Sequence, residues 1–294
     1  MLTFPATEVL ELSTGRRLSF AVYGAPDGVP VYYMHGFYGS RLEAMLTAKA
    51  AENTGIKLIA ADRPGVGEST AEVDRSLQSW ASNIGELADH LGHKHFFLLG
   101  VSGGGPYALG CCDVLSERIA GISLCCSLAQ LHGNQQLPFK FRSAMWAHRH
   151  FNIGLAVGNY LLYSGAKRLP GGLLRLIGTH ISPADRNILK QPKTRAILTA
   201  SLREASVQGP LYGAQELTIF GAPWGFELKD IPMPVNLWHG GQDEVVPVAM
   251  AYQLADELKR SSLHIMPDDG HFSLPGLHAE KILQQLTLKR NNAS

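Results

Sequence analysis

The chain has 294 residues, 45% of them hydrophobic and 17% charged, with a formal net charge of +1. That length is enough to bury a sizeable core, as one large domain or a domain carrying an insertion. The near-neutral balance excludes the basic signature of nucleic-acid or anionic-membrane binding.

In chain order, MLTFPATEVLELSTGRR has no basic region followed by a long apolar core, so no signal peptide is expected. TEVLELSTGRRLSFAVYG alternates apolar and polar residues around a Thr-Gly turn and predicts an antiparallel hairpin with one buried face. The pattern then changes. VPVYYMHG, IKLIAADRPG, HFFLLGVSG and IAGISLCC are short apolar runs, each followed by a glycine-rich loop or a helical stretch. Between the second and third, Trp80, Ile84, Leu87 and Leu91 share one helical face, and Gly92 suits the helix end. Such strands alternating with helices predict a mostly parallel sheet covered on both faces.

From about His132 to Asp230 the strand–helix rhythm stops and the sequence reads as helical, punctuated by Pro and Gly. This region holds twelve Lys/Arg against five Asp/Glu, whereas the rest holds fourteen against twenty. MPVNLWHG and SSLHIMPD restore the strand pattern, and LHAEKILQQLTLK predicts an amphipathic terminal helix. The expected organisation is an α/β core formed by residues 1–131 and 231–294, interrupted by a helical insertion over 132–230. The longest uncharged run, between Arg118 and Lys140, contains Ser, Gln, Asn, His, Gly and Pro and fails as a membrane span. The cysteines form two adjacent pairs, Cys111–Cys112 and Cys125–Cys126, with neither zinc-ligand nor redox spacing. Reduced core thiols and a cytoplasmic location are expected.

LLGVSGGGPYALG, Leu98 to Gly110, satisfies parts of three motifs. As a phosphate-binding loop it lacks the lysine that holds the terminal phosphates, because Pro106 follows Gly105. As a dinucleotide fingerprint it offers Gly103, Gly105 and Ala108, but the next strand ends in LCCSLAQL without the acid that holds a ribose. As a strand–turn–helix nucleophile elbow, Gly100-Val101-Ser102-Gly103-Gly104 fits. The serine there sits on a strained turn, so the residues two before and two after it must be small. Gly105 has no stronger reading than easing the helix start. A serine nucleophile needs a base and an orienting acid. Asp243, after the MPVNLWHG strand, and His271, after SSLHIMPD, both leave the same sheet edge as Ser102.

Five segments together resemble the α/β-hydrolase family: HGFYGSR its oxyanion loop, DRPGVGES its DxxGxGxS segment, GVSGG the elbow, GGQDEVVP the acid loop and DGHF the histidine loop. They span nearly the whole chain in the family's order, with the insertion where the family carries its cap. The resemblance implies Ser102 as nucleophile, His271 as base, Asp243 as orienting acid, and the Phe37 and Gly103 backbone N–H groups as the oxyanion hole. It implies an eight-stranded, mostly parallel sheet and no metal or organic cofactor. Serine at the elbow, rather than aspartate, argues against haloalkane dehalogenases and epoxide hydrolases.

Simpler roles compete at each position. Ser102 could be only a turn residue, and Glu244, Asp268 and Asp269 rival Asp243. Asp62 and Arg63 read as braces of the strand–helix loop rather than catalytic charges. Trp146, Trp224 and FNIGLAVGNYLLY read as helical core more than pocket lining, and the basic excess as a solvated face. The expected activity is hydrolysis of an ester, thioester or related acyl bond in a small, partly apolar substrate. Acyl transfer, amide or imino-peptide cleavage, C–C bond hydrolysis and non-catalytic ligand binding stay open, and so does a homodimer.

Overall fold

The apolar runs become strands of one eight-stranded sheet in a computed structural model that describes residues 3–131 and 152–288. The strands are β1 (Glu8–Glu11), β2 (Arg17–Gly24), β3 (Val29–Met34), β4 (Ile56–Ala61), β5 (Phe96–Val101), β6 (Ile119–Cys125), β7 (Val235–Gly240) and β8 (Ser261–Met266). Their order is β1-β2-β4-β3-β5-β6-β7-β8. The Thr-Gly segment joins β1 and β2 as an antiparallel pair, with Leu10 opposite Leu18, and β2 also runs antiparallel to β4. All other pairings are parallel. The expected mostly parallel sheet with an N-terminal hairpin is therefore present.

Alternate side chains on each strand feed two cores. Helices α2 (Leu77–His90), α3 (Gly104–Val114) and α9 (Ala249–Glu257) cover one face, packing Trp80, Tyr107 and Met250 against Tyr32, Met34 and Leu98. On the other face, α1 (Ala48–Asn53) and α10 (Ser273–Thr287) pack Ala51 and Leu283 against Val31, Tyr33 and Leu99. Every residue of β5 is buried, which is why its sequence is a continuous apolar run rather than an alternation. Full burial of each large side chain contributes roughly 1.5–3 kcal/mol. Helix α2 starts with a reciprocal Ser76–Ser79 capping box and ends before Gly92, whose φ of +71° favours glycine. The four cysteines are free and buried.

Between β6 and β7 lie five described helices, α4 (Asn152–Arg168), α5 (Pro170–Ile177), α6 (Pro183–Lys190), α7 (Pro192–Ala205) and α8 (Leu211–Gly221). Proline opens α5, α6 and α7 at the first turn, where its missing N–H leaves no hydrogen bond unmade. Leu174, Ile181, Leu189, Leu198 and Leu202 pack there with Tyr38 and Val66 from the loops above the sheet. Two buried ion-pair groups tie the helices to those loops. Glu216 of α8 receives Arg63 at 3.0 Å and Arg75 at 2.7 Å. Arg41 bridges Asp62 and Glu204 of α7. Desolvating such charges costs about what their attraction returns, so these pairs fix where the helices sit more than they add stability.

The charge asymmetry acquires a structural reason. Glu204 and Glu216 face core arginines, and Asp185 is fully buried, while Lys167, Arg168, Arg175, Arg186, Lys190, Lys193 and Arg203 are exposed. Asp62 and Arg63 are likewise internal braces: Arg63 donates to the carbonyls of His35 and Gly36 at 2.7 and 3.1 Å. Trp224 is buried beside Phe226 in the core, and Trp146 lies outside the described residues.

Candidate active site

Strand order reverses at β3, which has β4 on one side and β5 on the other. The crevice beyond the strand C-termini at such a point is where open α/β sheets bind ligands. The loop after β3 carries Gly36 and Phe37, and the turn after β5 carries Ser102.

Ser102 adopts φ +53°, a left-handed backbone that costs a residue with a side chain about 1–3 kcal/mol. Its neighbours permit it. A Cβ on Gly104 would collide with the Met34 carbonyl, so only glycine lets α3 start this close to β3. Gly105 has an equally specific reason: a Cβ there would overlap the Ser127 side chain in the loop after β6. Gly105→Ala is expected to destabilise the fold by about 1–3 kcal/mol through overpacking. Ser127→Gly should restore most of that loss in a denaturant titration, because it removes the colliding atoms.

Ser102, His271 and Asp243 meet. His271 Nε2 lies 3.0 Å from Ser102 Oγ, and His271 Nδ1 lies 2.8 Å from Asp243 Oδ2. The other Asp243 oxygen accepts from the backbone N–H groups of Val245 and Val246 at 2.8 and 2.7 Å, which fixes the carboxylate's orientation. Burial opposes protonation of His271, but the adjacent Asp243 charge and hydrogen bond override it and hold the imidazole well above its ordinary pKa of 6.5. Burial also opposes ionisation of Asp243, yet the same contacts leave its carboxyl below the usual range. The rivals do not take its place against His271: Asp269 pairs with His278 at 2.8 Å, Asp268 is exposed, and Glu244, also exposed, lines the cavity above Ser102.

A residue that sequence reading missed supports the histidine. Asp185 of α6 accepts from the backbone N–H groups of His271 at 2.9 Å and of Phe272 and Ser273 at 2.8 Å. These donors form the N-terminal edge of α10, where free N–H groups and the helix dipole favour a negative charge. The helices between β6 and β7 therefore brace the histidine loop directly.

The Phe37 and Gly103 backbones also adjoin, since a Cβ on Gly103 would stand 3.2 Å from Phe37 N. Neither N–H donates a hydrogen bond to another described residue. Above Ser102 opens a cavity of about 600 Å³, walled mainly by apolar side chains such as Leu162, Leu174, Ile188 and Leu198. Cys126, His239 and Asp243 bring ligand-type atoms within 4.8 Å of one another. There, His239 Nε2 lies 2.9 Å from the Val246 carbonyl and Asp243 serves His271.

The family model for the alpha/beta hydrolase fold matches residues 29–275. The chain belongs to that family. Among curated relatives, this α/β hydrolase is 26% identical to a proline iminopeptidase from Lactobacillus delbrueckii subsp. bulgaricus, over 84% of the chain and 85% of that protein. It is also 33% identical to a dihydrolipoyllysine-residue acetyltransferase component of an acetoin cleaving system from Pseudomonas putida. That match spans 126 residues, 42% of this chain and only 33% of the relative. Among solved structures, an esterase from Exiguobacterium antarcticum superposes with a TM-score of 0.72 at 17% identity, covering 98% of this chain and 100% of that one. At this identity the likeness concerns the fold.

Proposed function

We propose that the protein is a serine hydrolase of carboxylic esters, thioesters or related acyl bonds. The observation that carries this reading is the Ser102–His271–Asp243 chain of hydrogen bonds at the base of an apolar cavity. Residues 132–230 then serve as a cap over a core made of 1–131 and 231–294.

In this mechanism His271 takes the Ser102 proton as Oγ attacks the acyl carbonyl. Asp243 holds the imidazole with its proton on Nδ1 and stabilises the positive charge that develops. The Phe37 and Gly103 N–H groups receive the oxyanion, each worth roughly 100- to 1,000-fold in rate. The alcohol or thiol leaves with a proton from His271. Water, deprotonated by the same histidine, then releases the acid and regenerates Ser102. The apolar walls suit an acyl or alcohol chain of moderate length.

A fluorophosphonate should label Ser102, and Ser102→Ala should abolish labelling and ester turnover together; labelling that survives in the variant sinks the reading. The iminopeptidase relative motivates a second reading, amide cleavage after an N-terminal proline. Turnover of proline p-nitroanilide in preference to esters of matched size would select it.

Asp185 supplies a further expectation. Asp185→Ala leaves three backbone donors without their acceptor and removes the negative charge at the α10 N-terminus. Stability should fall by about 2 kcal/mol. kcat should fall more than KM rises, because the histidine loop loosens while the cavity walls stay. Chemical denaturation and steady-state kinetics check both, and an unchanged kcat refutes the positioning role.

A further inference from the structure

One carboxylate at the cavity floor is used by neither the triad nor the docking ion pairs. Glu43 lies in the 3-10 turn Arg41–Leu46 that follows the β3 loop. Its Oε1 accepts from the Gly36 backbone N–H at 3.0 Å and from the Tyr33 hydroxyl at 2.8 Å. That oxygen is satisfied. Oε2 has no hydrogen-bond donor among the described residues, and the residue lines the cavity beside Ser102. The distance is short: a methyl group placed on Gly36 would stand 3.4 Å from both Glu43 Oε2 and Ser102 Cβ.

A brace for the β3 loop needs only the oxygen that Tyr33 and Gly36 already engage, which a neutral amide could supply. The second oxygen keeps a polar acceptor on the cavity wall, and both it and Ser102 Cβ lie 3.4 Å from the position a Gly36 methyl would take. Burial pushes the Glu43 carboxyl up, and the Gly36 and Tyr33 donors oppose that rise. An acceptor left partly desolvated gains most from a substrate donor that reaches it. The shared neighbour position keeps that donor near the reacting carbonyl. A donor on the carbon bonded to the scissile carbonyl is suitably close to meet Glu43 while that carbonyl meets Ser102. One free oxygen matches one hydroxyl or amide N–H, whereas an ammonium would bring three N–H groups to that one oxygen.

We infer that Glu43 is a specificity residue that selects acyl substrates bearing a neutral hydrogen-bond donor, hydroxyl or amide N–H, on the carbon next to the scissile carbonyl. The inference rests on Ser102 being the nucleophile. The preferred substrate is thus an apolar chain with one polar group beside the reacting carbonyl. The apolar part fills the cavity while Glu43 sets the position of the carbonyl over Ser102.

The test compares methyl esters of octanoic, 2-hydroxyoctanoic and 2-aminooctanoic acid, each rate divided by that ester's hydroxide-catalysed rate to remove intrinsic reactivity. The wild type should prefer the 2-hydroxy ester over the plain ester by about 10- to 100-fold in kcat/KM, the worth of one hydrogen bond to a charged group. Glu43→Gln keeps an oxygen for Gly36 and Tyr33 but turns an N–H₂ toward the cavity, so the preference should collapse toward one. Gly36→Ala, which wedges a methyl between Glu43 and substrate, should do the same. A ratio unchanged in Glu43→Gln while both rates fall together would show a brace or a general electrostatic aid to His271, and would overturn the proposal. So would a wild type indifferent to the hydroxyl, or one that prefers the 2-amino ester. No turnover of any ester by a chain whose Ser102 still reacts with a fluorophosphonate overturns this inference alone. No turnover and no labelling overturns the hydrolase reading with it.

Discussion

Ser102→Ala is expected to lower kcat/KM for acyl-ester hydrolysis by about 10⁴- to 10⁶-fold while leaving the fold intact. The size follows from what is removed. The variant keeps the Phe37 and Gly103 N–H groups and the cavity, which by themselves support a residual acceleration over water of about 10³- to 10⁴-fold. It loses the covalent route that divides one difficult displacement into two easier ones. The substitution also relieves nothing in the backbone, since alanine at φ +53° is as strained as serine. Unfolding transitions should therefore nearly coincide. Steady-state kinetics on a medium-chain ester, with a denaturant titration alongside, separates chemistry from stability. Turnover at the wild-type level in a folded Ser102→Ala protein ends the mechanism.

Asp243→Asn should cut kcat by about 10³- to 10⁴-fold and move the pH profile in a stated direction. His271 must be neutral to accept the serine proton. Burial lowers its pKa, but Asp243 overrides that and holds it well above 6.5, so wild-type kcat/KM should rise with pH through a midpoint above 6.5. In the asparagine variant the raising charge is gone and the lowering effect of burial stays. The midpoint should then fall below that of the wild type. Asp243 itself, with its carboxyl held below the usual range, stays ionised throughout this window and adds no second limb there. The rate falls even where the imidazole is neutral, because an amide N–H facing Nδ1 favours the tautomer that protonates Nε2. A pH–kcat/KM series for both proteins checks the sign. A midpoint that stays in place would show that another group titrates.

Much of this was legible in the residues because the relevant physics is local. Strands buried on both faces must be continuously apolar, so HFFLLGV announced β5. A left-handed serine between crowded backbones demands glycine nearby, so GVSGG announced the turn. Asp243 and His271 were reached through chain order and through the strands that precede them. Asp185 was not. SPAD reads locally as a helix start, and Ser182 does accept from the Asp185 N–H at 3.1 Å. The carboxylate, however, turns to the N-terminal edge of α10, where His271 lies 86 residues further along the chain than Asp185. Glu43 likewise reads as an ordinary acid in a helical first turn, and nothing in SRLEA points toward Ser102.

The sheet, the order of its strands' loops and the three residues brought together at its edge can be read from the residues, because periodicity, turn sterics and strand polarity are encoded within a few residues of each feature. Which acids face inward depends on the folded chain. Glu204 and Glu216 meet core arginines, Asp185 caps the histidine loop, and Glu43 lines the cavity. The fold also decides why Gly105 must be glycine, through a serine on the neighbouring loop. A side chain's charge and size belong to its own position. Its partner is set by which distant backbone packing brings within a few ångströms, and that distance is a property of the folded chain.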